Sequence, residues 1–312
     1  MRPLASKERA SGVAWYPWRC AEESWAGSWK EPAGGPVLLV GYSRCMTNPL
    51  HGRVAVVTGS TAGIGLAIAR ELARLGSFCV VNGRREERVR DIAAEFGEAR
   101  VRGVAGDASD EGVIARLLDT ARDSLGEPGR EADLIVINAG RGLKGSVMDS
   151  DPAQWEEMVR TNLMGVARMI RGAGNRLLAE IKRQHGDSPS AAKVLERPRD
   201  IIVIGSIVGK HVSPFSSMYG ATKFGVHGLV EGARRELGPK GIRVTLIAPG
   251  FVTSEFQGVA GYDPKWYENV VDRIGPVLAP EDVARLIGFV VSQPPAVQIG
   301  DVIIRPVRQE YP

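Results

Sequence analysis

The chain of 312 residues is 44% hydrophobic and 24% charged, with a formal net charge of +4. These are the proportions of a globular protein with a sizeable core. No window approaches the ~18 consecutive apolar residues of a membrane span. The positive charges are scattered, as in 84–90 and Arg234-Arg235, in the manner of solvated helix faces, so nucleic acid is not an expected partner. Cys20, Cys45 and Cys79 form neither a CxxC pair nor a cluster with His51, His185, His211 or His227. No disulfide framework and no metal site is expected, and the location that fits is the reducing cytoplasm.

Residues 1–45 differ from the rest. They hold Trp15, Trp18, Trp25 and Trp29 among scattered Pro and Gly, with no period of 2 or 3.6. Their longest apolar run, Val37-Leu38-Leu39-Val40, is too short and too late for a secretory signal. Glu22, Glu23 and Glu31 are wrong for a transit peptide. A second methionine, Met46, precedes the first strand. The segment reads as an irregular, poorly ordered extension from an upstream start codon, or else as a partner-binding arm that uses its tryptophans. The catalytic domain is expected over 46–312.

From residue 52 strands and helices alternate. Strand 54–57 leads through a Gly-rich turn into helix 64–75, with Ile64, Ile68, Leu72 and Leu75 on one stripe. Strand 78–81, helix 86–96, strand 100–104, helix 111–125 and strand 134–137 follow. A long helical region covers 152–184. After a surface loop over 185–199, with room for one helical turn, come strand 201–204, helix 219–237, strand 242–247, helix 281–291 and strand 301–304. Short apolar strands without polar alternation, each separated by a helix, imply a parallel sheet covered on both faces. The fold class expected is α/β: a single Rossmann-like, doubly wound domain.

The turn Thr58-Gly59-Ser60-Thr61-Ala62-Gly63-Ile64-Gly65 follows a strand and opens a helix. Glycines there let a pyrophosphate approach the backbone, and the helix N-terminus supplies unpaired N–H groups and a positive dipole end. Such a turn is weak evidence alone and stronger in a βαβ unit. An NAD site wants a carboxylate after the second strand to hold the ribose hydroxyls. This chain has Asn82-Gly83-Arg84-Arg85 instead. Two guanidinium groups suit a 2′-phosphate, which favours NADP over NAD. The bland alternative is a solvated helix start beside Glu86 and Glu87.

Tyr219 and Lys223 are four apart and share a helix face. A nearby ammonium is expected to lower the tyrosine pKa from about 10 toward working pH, as a general acid/base needs. Ser206 stands directly after a strand, at the sheet end where ligands bind in doubly wound folds. Taken with the glycine turn, Asp107 after the third strand, Asn138-Ala139-Gly140 after the fourth, Asn162 in the long helix, and Pro249-Gly250 with Thr253, the chain resembles the short-chain dehydrogenase/reductases. The resemblance spans about 52–305.

The resemblance implies roles. Tyr219 would exchange a proton with the substrate oxygen, Lys223 would hold the nicotinamide ribose and tune Tyr219, and Ser206 would polarise the carbonyl. Asn162 would support a water chain to Lys223. Gly59, Ser60, Thr61, Gly63, Ile64 and Gly65 would hold the pyrophosphate, and Asp107 and Ala108 the adenine. Asn138, Ala139 and Gly140 would line the cleft, with Pro249, Gly250, Val252 and Thr253 on the nicotinamide side. On the residues alone, Asn162 also fits a helix kink and Asp107 a cap for helix 111–125.

The end of the chain, 300–309, lacks the Asp-Gly-Gly close of the acyl-carrier ketoreductases and is more like members acting on hydroxy acids and small alcohols. The expected substrate is a small ketone, aldehyde or hydroxy acid, and the expected assembly a homodimer or homotetramer. A non-catalytic NADP-binding regulator is the alternative; the intact Ser206, Tyr219 and Lys223 argue against it. The segment after Gly250 reads as a lid hinged at Gly258 and Gly261. Its Phe256, Tyr262, Trp266 and Tyr267 either wall an apolar pocket or pack the lid down.

Overall fold

The computed structural model describes residues 48–97, 99–211, 215–254 and 256–310. The expected N-terminal extension and its tryptophans lie outside them. In chain order the elements are β1 (Val54–Val57), α1 (Gly63–Arg74), β2 (Phe78–Gly83), α2 (Glu86–Phe96), β3 (Val101–Ala105), α3 (Glu111–Ser124) and β4 (Leu134–Ile137). Next are α4 (Trp155–Val159), a π turn (Arg160–Met164), α5 (Gly165–His185), α6 (Ala191–Val194) and β5 (Asp200–Ile204). The rest are α7 (Ser217–Leu237), β6 (Arg243–Pro249), α8 (Phe256–Val259), α9 (Pro264–Ile274), α10 (Pro280–Val291) and β7 (Asp301–Ile304).

The seven strands are all parallel, in the order β3-β2-β1-β4-β5-β6-β7. The two-residue period of a strand explains why the strand sequences carry no polar alternation. In β1, Val54 and Val56 join a core with α3, α5 and α7, while Ala55 and Val57 join a second core with α1, α2 and α10. Cys79 is buried in the second core, and burial pushes its thiol up to about 12. Among the described residues no helix is long and apolar enough to cross a membrane.

Chain order reverses at β1, which pairs with β2 on one side and β4 on the other. A crevice opens above the carboxyl ends of the strands at such a switch point. The opposite end of the sheet is locked by charge. Arg53, Asp133, Asp200 and Arg243 stand at the starts of β1, β4, β5 and β6, all buried. Arg53 donates to Asp133 at 3.0 Å and to Asp200 at 2.7 Å, and Arg243 meets both oxygens of Asp200 at 2.7 and 2.8 Å.

Before β5 the structure departs from the sequence expectation in two places. The long helix over 152–184 is broken by the π turn. The loop over 185–199 does contain one helical turn, but its far end goes inward: Arg197 pairs with Glu180 and Asp133, and Arg199 is buried.

Candidate active site

A cavity of about 990 Å³ lies over the carboxyl ends of the strands. Its floor is the glycine turn. Gly59 and Gly63 have φ of +61° and +50°, and Gly65 packs so closely that a Cβ would sit 2.2 Å from the Gly59 carbonyl. The loop is braced by polar side chains. Thr58 Oγ1 accepts from the N–H groups of Asn138 and Ala139, both at 3.0 Å, and Asn138 Nδ2 donates back to the Thr58 and Gly59 carbonyls, also at 3.0 Å. Asn82 Oδ1 accepts from Gly59 N at 3.2 Å, while its Nδ2 donates to Val104 O and Gly106 O.

Of the loop residues expected at a cofactor, Gly59, Thr61, Gly63, Ile64 and Gly65 line the cavity. Ser60 is a correction. Its hydroxyl is fully buried, donating to Val57 O at 2.8 Å and accepting from Asn82 N at 2.9 Å, so it secures the turn from below. No side chain caps the first turn of α1 and no acid lies in it, which leaves the positive end of the helix open to the cavity. That is the local chemistry a pyrophosphate requires.

Arg84 and Arg85 stand exposed at the rim beyond β2. Arg84 Nη1 lies 3.8 Å from Glu157 Oε1, and Glu157 is also bonded to Arg141. Asp107 and Ala108 line the cavity too. Asp107 Oδ1 accepts from the N–H and hydroxyl of Ser109, both at 2.8 Å, and Oδ2 faces Arg160 at 3.3 Å. Burial is the largest influence on its carboxyl and pushes it up; the Ser109 bonds, Arg160 and Arg84 together hold it below its ordinary value. Asp107 does not cap α3. That is done by Asp110, which accepts from Val113 N at 2.9 Å.

Tyr219, Lys223 and Ser206 meet at the other end, with Asn138, Ala139 and Gly140 between. Tyr219 and Lys223 share a face of α7, and Lys223 Nζ lies 5.8 Å from the centre of the Tyr219 ring. Lys223 is buried and donates to Ile204 O at 2.9 Å. Burial pushes its ammonium down to about 8. Tyr219 is hydrogen-bonded to Ser206. Its pKa does not fall as the sequence suggested: burial pushes it up, and the bond to Ser206 only partly offsets this. The reason is desolvation, which penalises the phenolate more than the bond to Ser206 favours it.

Asn162 is buried in the π turn and does not line the cavity. Its Oδ1 accepts from Arg141 N at 2.9 Å, and its Nδ2 donates to Arg141 O at 2.9 Å and Thr222 Oγ1 at 3.1 Å. It therefore joins the loop after β4 to α7, one residue from Lys223. The kink that the residue type allowed is present, as this π turn. A residue that sequence reasoning missed is His227, one turn beyond Lys223. Its Nε2 donates to Ser206 O at 3.2 Å, because a carbonyl can only accept. The signal was the i, i+4 spacing from Lys223.

Past β6, Pro249, Gly250 and Val252 line the cavity, whereas Thr253 is exposed outside it. Gln309 was also missed. It is buried, lines the cavity, and its Oε1 accepts from Phe251 N at 3.0 Å. The segment after Gly250 contains α8 and α9, where the sequence pattern predicts no element. Asp263 caps α9 through Trp266 N at 3.1 Å, with Pro264 in its first turn. Phe256, Tyr262 and Trp266 line the cavity; Tyr267 does not.

The family model for the short chain dehydrogenases matches residues 53–263, and the chain belongs to that family, an oxidoreductase of its type. An uncharacterized oxidoreductase of Staphylococcus aureus is 30% identical over 258 residues, covering 83% of this chain and 99% of the relative. One from Staphylococcus saprophyticus is 30% identical over 261 residues, with the same coverage. Among solved structures, the closed form of a serine dehydrogenase complexed with NADP+ superposes with a TM-score of 0.69 at 29% identity, covering 83% of this chain and 96% of that one. An alcohol dehydrogenase of the archaeon Thermococcus sibiricus complexed with 5-hydroxy-NADP gives 0.66 at 25%, covering 83% and 99%.

Proposed function

We propose that this protein transfers a hydride between NADP(H) and the carbonyl or alcohol carbon of a small ketone, aldehyde or hydroxy-compound substrate. The observation that carries the proposal is the convergence of Tyr219, Ser206 and Lys223 on the same cavity as the uncapped N-terminus of α1. The nicotinamide, when bound, supplies or accepts the hydride. Backbone N–H groups of the glycine turn hold the pyrophosphate, Asp107 and Ala108 meet the adenine, and the loop from Pro249 to Val252 meets the nicotinamide side.

The choice of NADP rests on Arg84 and Arg85, with support from Asn82. The side chain of Asn82 is consumed in bracing the glycine turn, so nothing at the end of β2 offers a carboxylate to ribose hydroxyls. A guanidinium fork is matched to a phosphate.

In reduction, Ser206 donates a hydrogen bond to the substrate oxygen and Tyr219 delivers its phenolic proton to it. Burial favours the protonated phenol, so the proton that this step delivers is in place. Lys223, an ammonium below about pH 8, stands beside the tyrosine and returns the proton. Asn162 positions Lys223 by holding α7 to the loop after β4. The assembly we propose is a homodimer or homotetramer. β7 is an edge strand that carries the exposed Ile303, and α10 carries the exposed Phe289, an arrangement that favours self-association.

The test is NADPH and NADH oxidation against a panel of aldehydes, ketones and keto acids. Tyr219→Phe should lose on the order of 10²–10⁴-fold in kcat/KM while keeping cofactor affinity. Full activity in that variant defeats the mechanism, and a preference for NADH defeats the role given to Arg84 and Arg85.

A further inference from the structure

We infer that the substrate end of the cavity is built for an uncharged carbonyl compound bearing an aromatic or similarly bulky apolar group, and against the anions of small hydroxy and keto acids. The inference rests on the reading of Tyr219 and Ser206 as the groups that meet the substrate oxygen.

Its ground is the composition of the wall. The Phe256 ring lies 5.7 Å from the Tyr219 ring, centre to centre, and tilted 55° to it. Tyr262 stacks on Trp266 at 4.8 Å and 14°, and Trp266 meets Phe251 at 6.3 Å. These four rings, with Phe215, line the same cavity as Ser206 and Tyr219. Phe251, Phe256, Tyr262 and Trp266 come from the stretch that runs from the loop after β6 through α8 into α9, and Phe215 comes from the segment before α7. Phe256 is seated against the loop after β4, where a Cβ on Gly142 would come within 2.5 Å of its Cζ. Rings gathered on one side of a cavity make a slot for a flat apolar group, which gains both burial and stacking there.

Apart from Lys223, the polar side chains at this end are uncharged: the hydroxyls of Ser206, Ser216, Tyr219, Ser254 and Tyr262 and the amides of Asn138 and Gln309. Tyr262 is bonded to Ser216, and burial pushes its phenol up, so it stays neutral. The cations lining the cavity are engaged or remote. Lys223 donates to Ile204 O and stands 5.8 Å from the centre of the Tyr219 ring, among the catalytic groups and not on the aromatic wall, and Arg141 is paired with Glu157 and Gln154. Arg84 and Arg85 follow β2, three strands from β5, roughly 14 Å across the sheet at the usual strand spacing. Among the described residues, then, the aromatic wall carries no cation, so a carboxylate carried onto it would lose its water without a charged partner there, and that penalty is large.

The experiment compares ethyl benzoylformate with benzoylformate, which share ring and ketone and differ in charge. Binding of each is measured by calorimetry on the full chain loaded with oxidised cofactor, NADP+ or NAD+, whichever it holds, so that no reduction takes place. The ester should bind at least about tenfold more tightly than the acid. Tyr262→Ala and Trp266→Ala should each weaken the ester about fivefold or more, with cofactor affinity unchanged. Equal or tighter binding of the acid overturns the inference, as does failure of both compounds to bind at millimolar concentration, or indifference of the ester to both substitutions. Reduction of the bound ester by the reduced cofactor is scored separately. An ester that binds as expected but is never reduced defeats the hydride-transfer reading and leaves the pocket's preference standing.

Discussion

Replacing Lys223 by Met should make the protein more stable and less active. Lys223 is buried, and burial pushes its ammonium from an ordinary 10.5 down to about 8. That gap of about 2.5 pH units means the folded chain carries a penalty of about 3 kcal/mol for holding the charge at neutral pH. Methionine has similar length and no charge. It also removes the hydrogen bond to Ile204 O, which returns about 1 kcal/mol. The expected gain is about 2 kcal/mol at pH 7, or a rise in Tm of roughly 4–8 °C for a domain of this size. The pH dependence gives the sign check. Between pH 8 and 10.5 the unfolded chain still protonates this lysine while the folded chain does not, so wild-type stability rises with pH in that window. The advantage of the Met variant should therefore be full below pH 8, shrink through the window, and reverse slightly above it. Urea denaturation of both proteins from pH 6 to 11 reads this directly. A variant that is less stable at pH 7, or whose difference from wild type does not change with pH, refutes the reasoning.

Three other outcomes are expected. Gly65→Ala puts a Cβ 2.2 Å from the Gly59 carbonyl, so the turn must move; cofactor Kd by calorimetry should rise at least about tenfold while the thermal transition stays cooperative. Asp200→Ala leaves the buried Arg243 without a carboxylate and Arg53 with Asp133 alone, and should cost about 3–5 kcal/mol in chemical denaturation, with little change in the KM of the remaining folded protein. Gln309→Ala leaves the Phe251 N–H without its acceptor inside the fold; the loss of about 1 kcal/mol or more should appear as a cofactor KM raised roughly fivefold, with kcat nearly unchanged.

The sheet was legible because its strands are short apolar runs between helices, a pattern that only a doubly covered parallel sheet explains. Strands 54–57, 134–137 and 301–304 fall where the sequence put them, and so does helix 86–96. What the sequence hid has physical causes. Helical periodicity cannot reveal one extra residue in a turn, so Asn162 showed only that a kink could occur there and not that it would be a π turn. Ser60 looked like its loop neighbours, but side-chain direction in a tight turn depends on φ and ψ, which the letters do not carry. Asp107 and Asp110 are both plausible caps three residues apart, and only the backbone trace separates them. The lid helices were disguised by Gly258, Gly261 and Pro264, although Asp263-Pro264 is itself a helix-start signal, an N-cap acid followed by proline in the first turn. The charged base of the sheet was invisible because its members are scattered from Arg53 to Arg243 and meet only through strand order.

The π turn has a consequence for how this protein tolerates change. Each residue of a regular helix turns the chain by about 100°. The turn at Arg160–Met164 holds one residue more than the helix needs, and the stripe of α5 that follows, including Met169, Ala173 and Leu177, is phased to it. Substitution at these positions alters one side chain. Deletion of a single residue would restore a smooth helix and rotate either Trp155 and its neighbours or the whole buried stripe of α5 out of place. Variation in this segment is therefore open to spelling and closed to length, and insertions or deletions belong elsewhere in the chain.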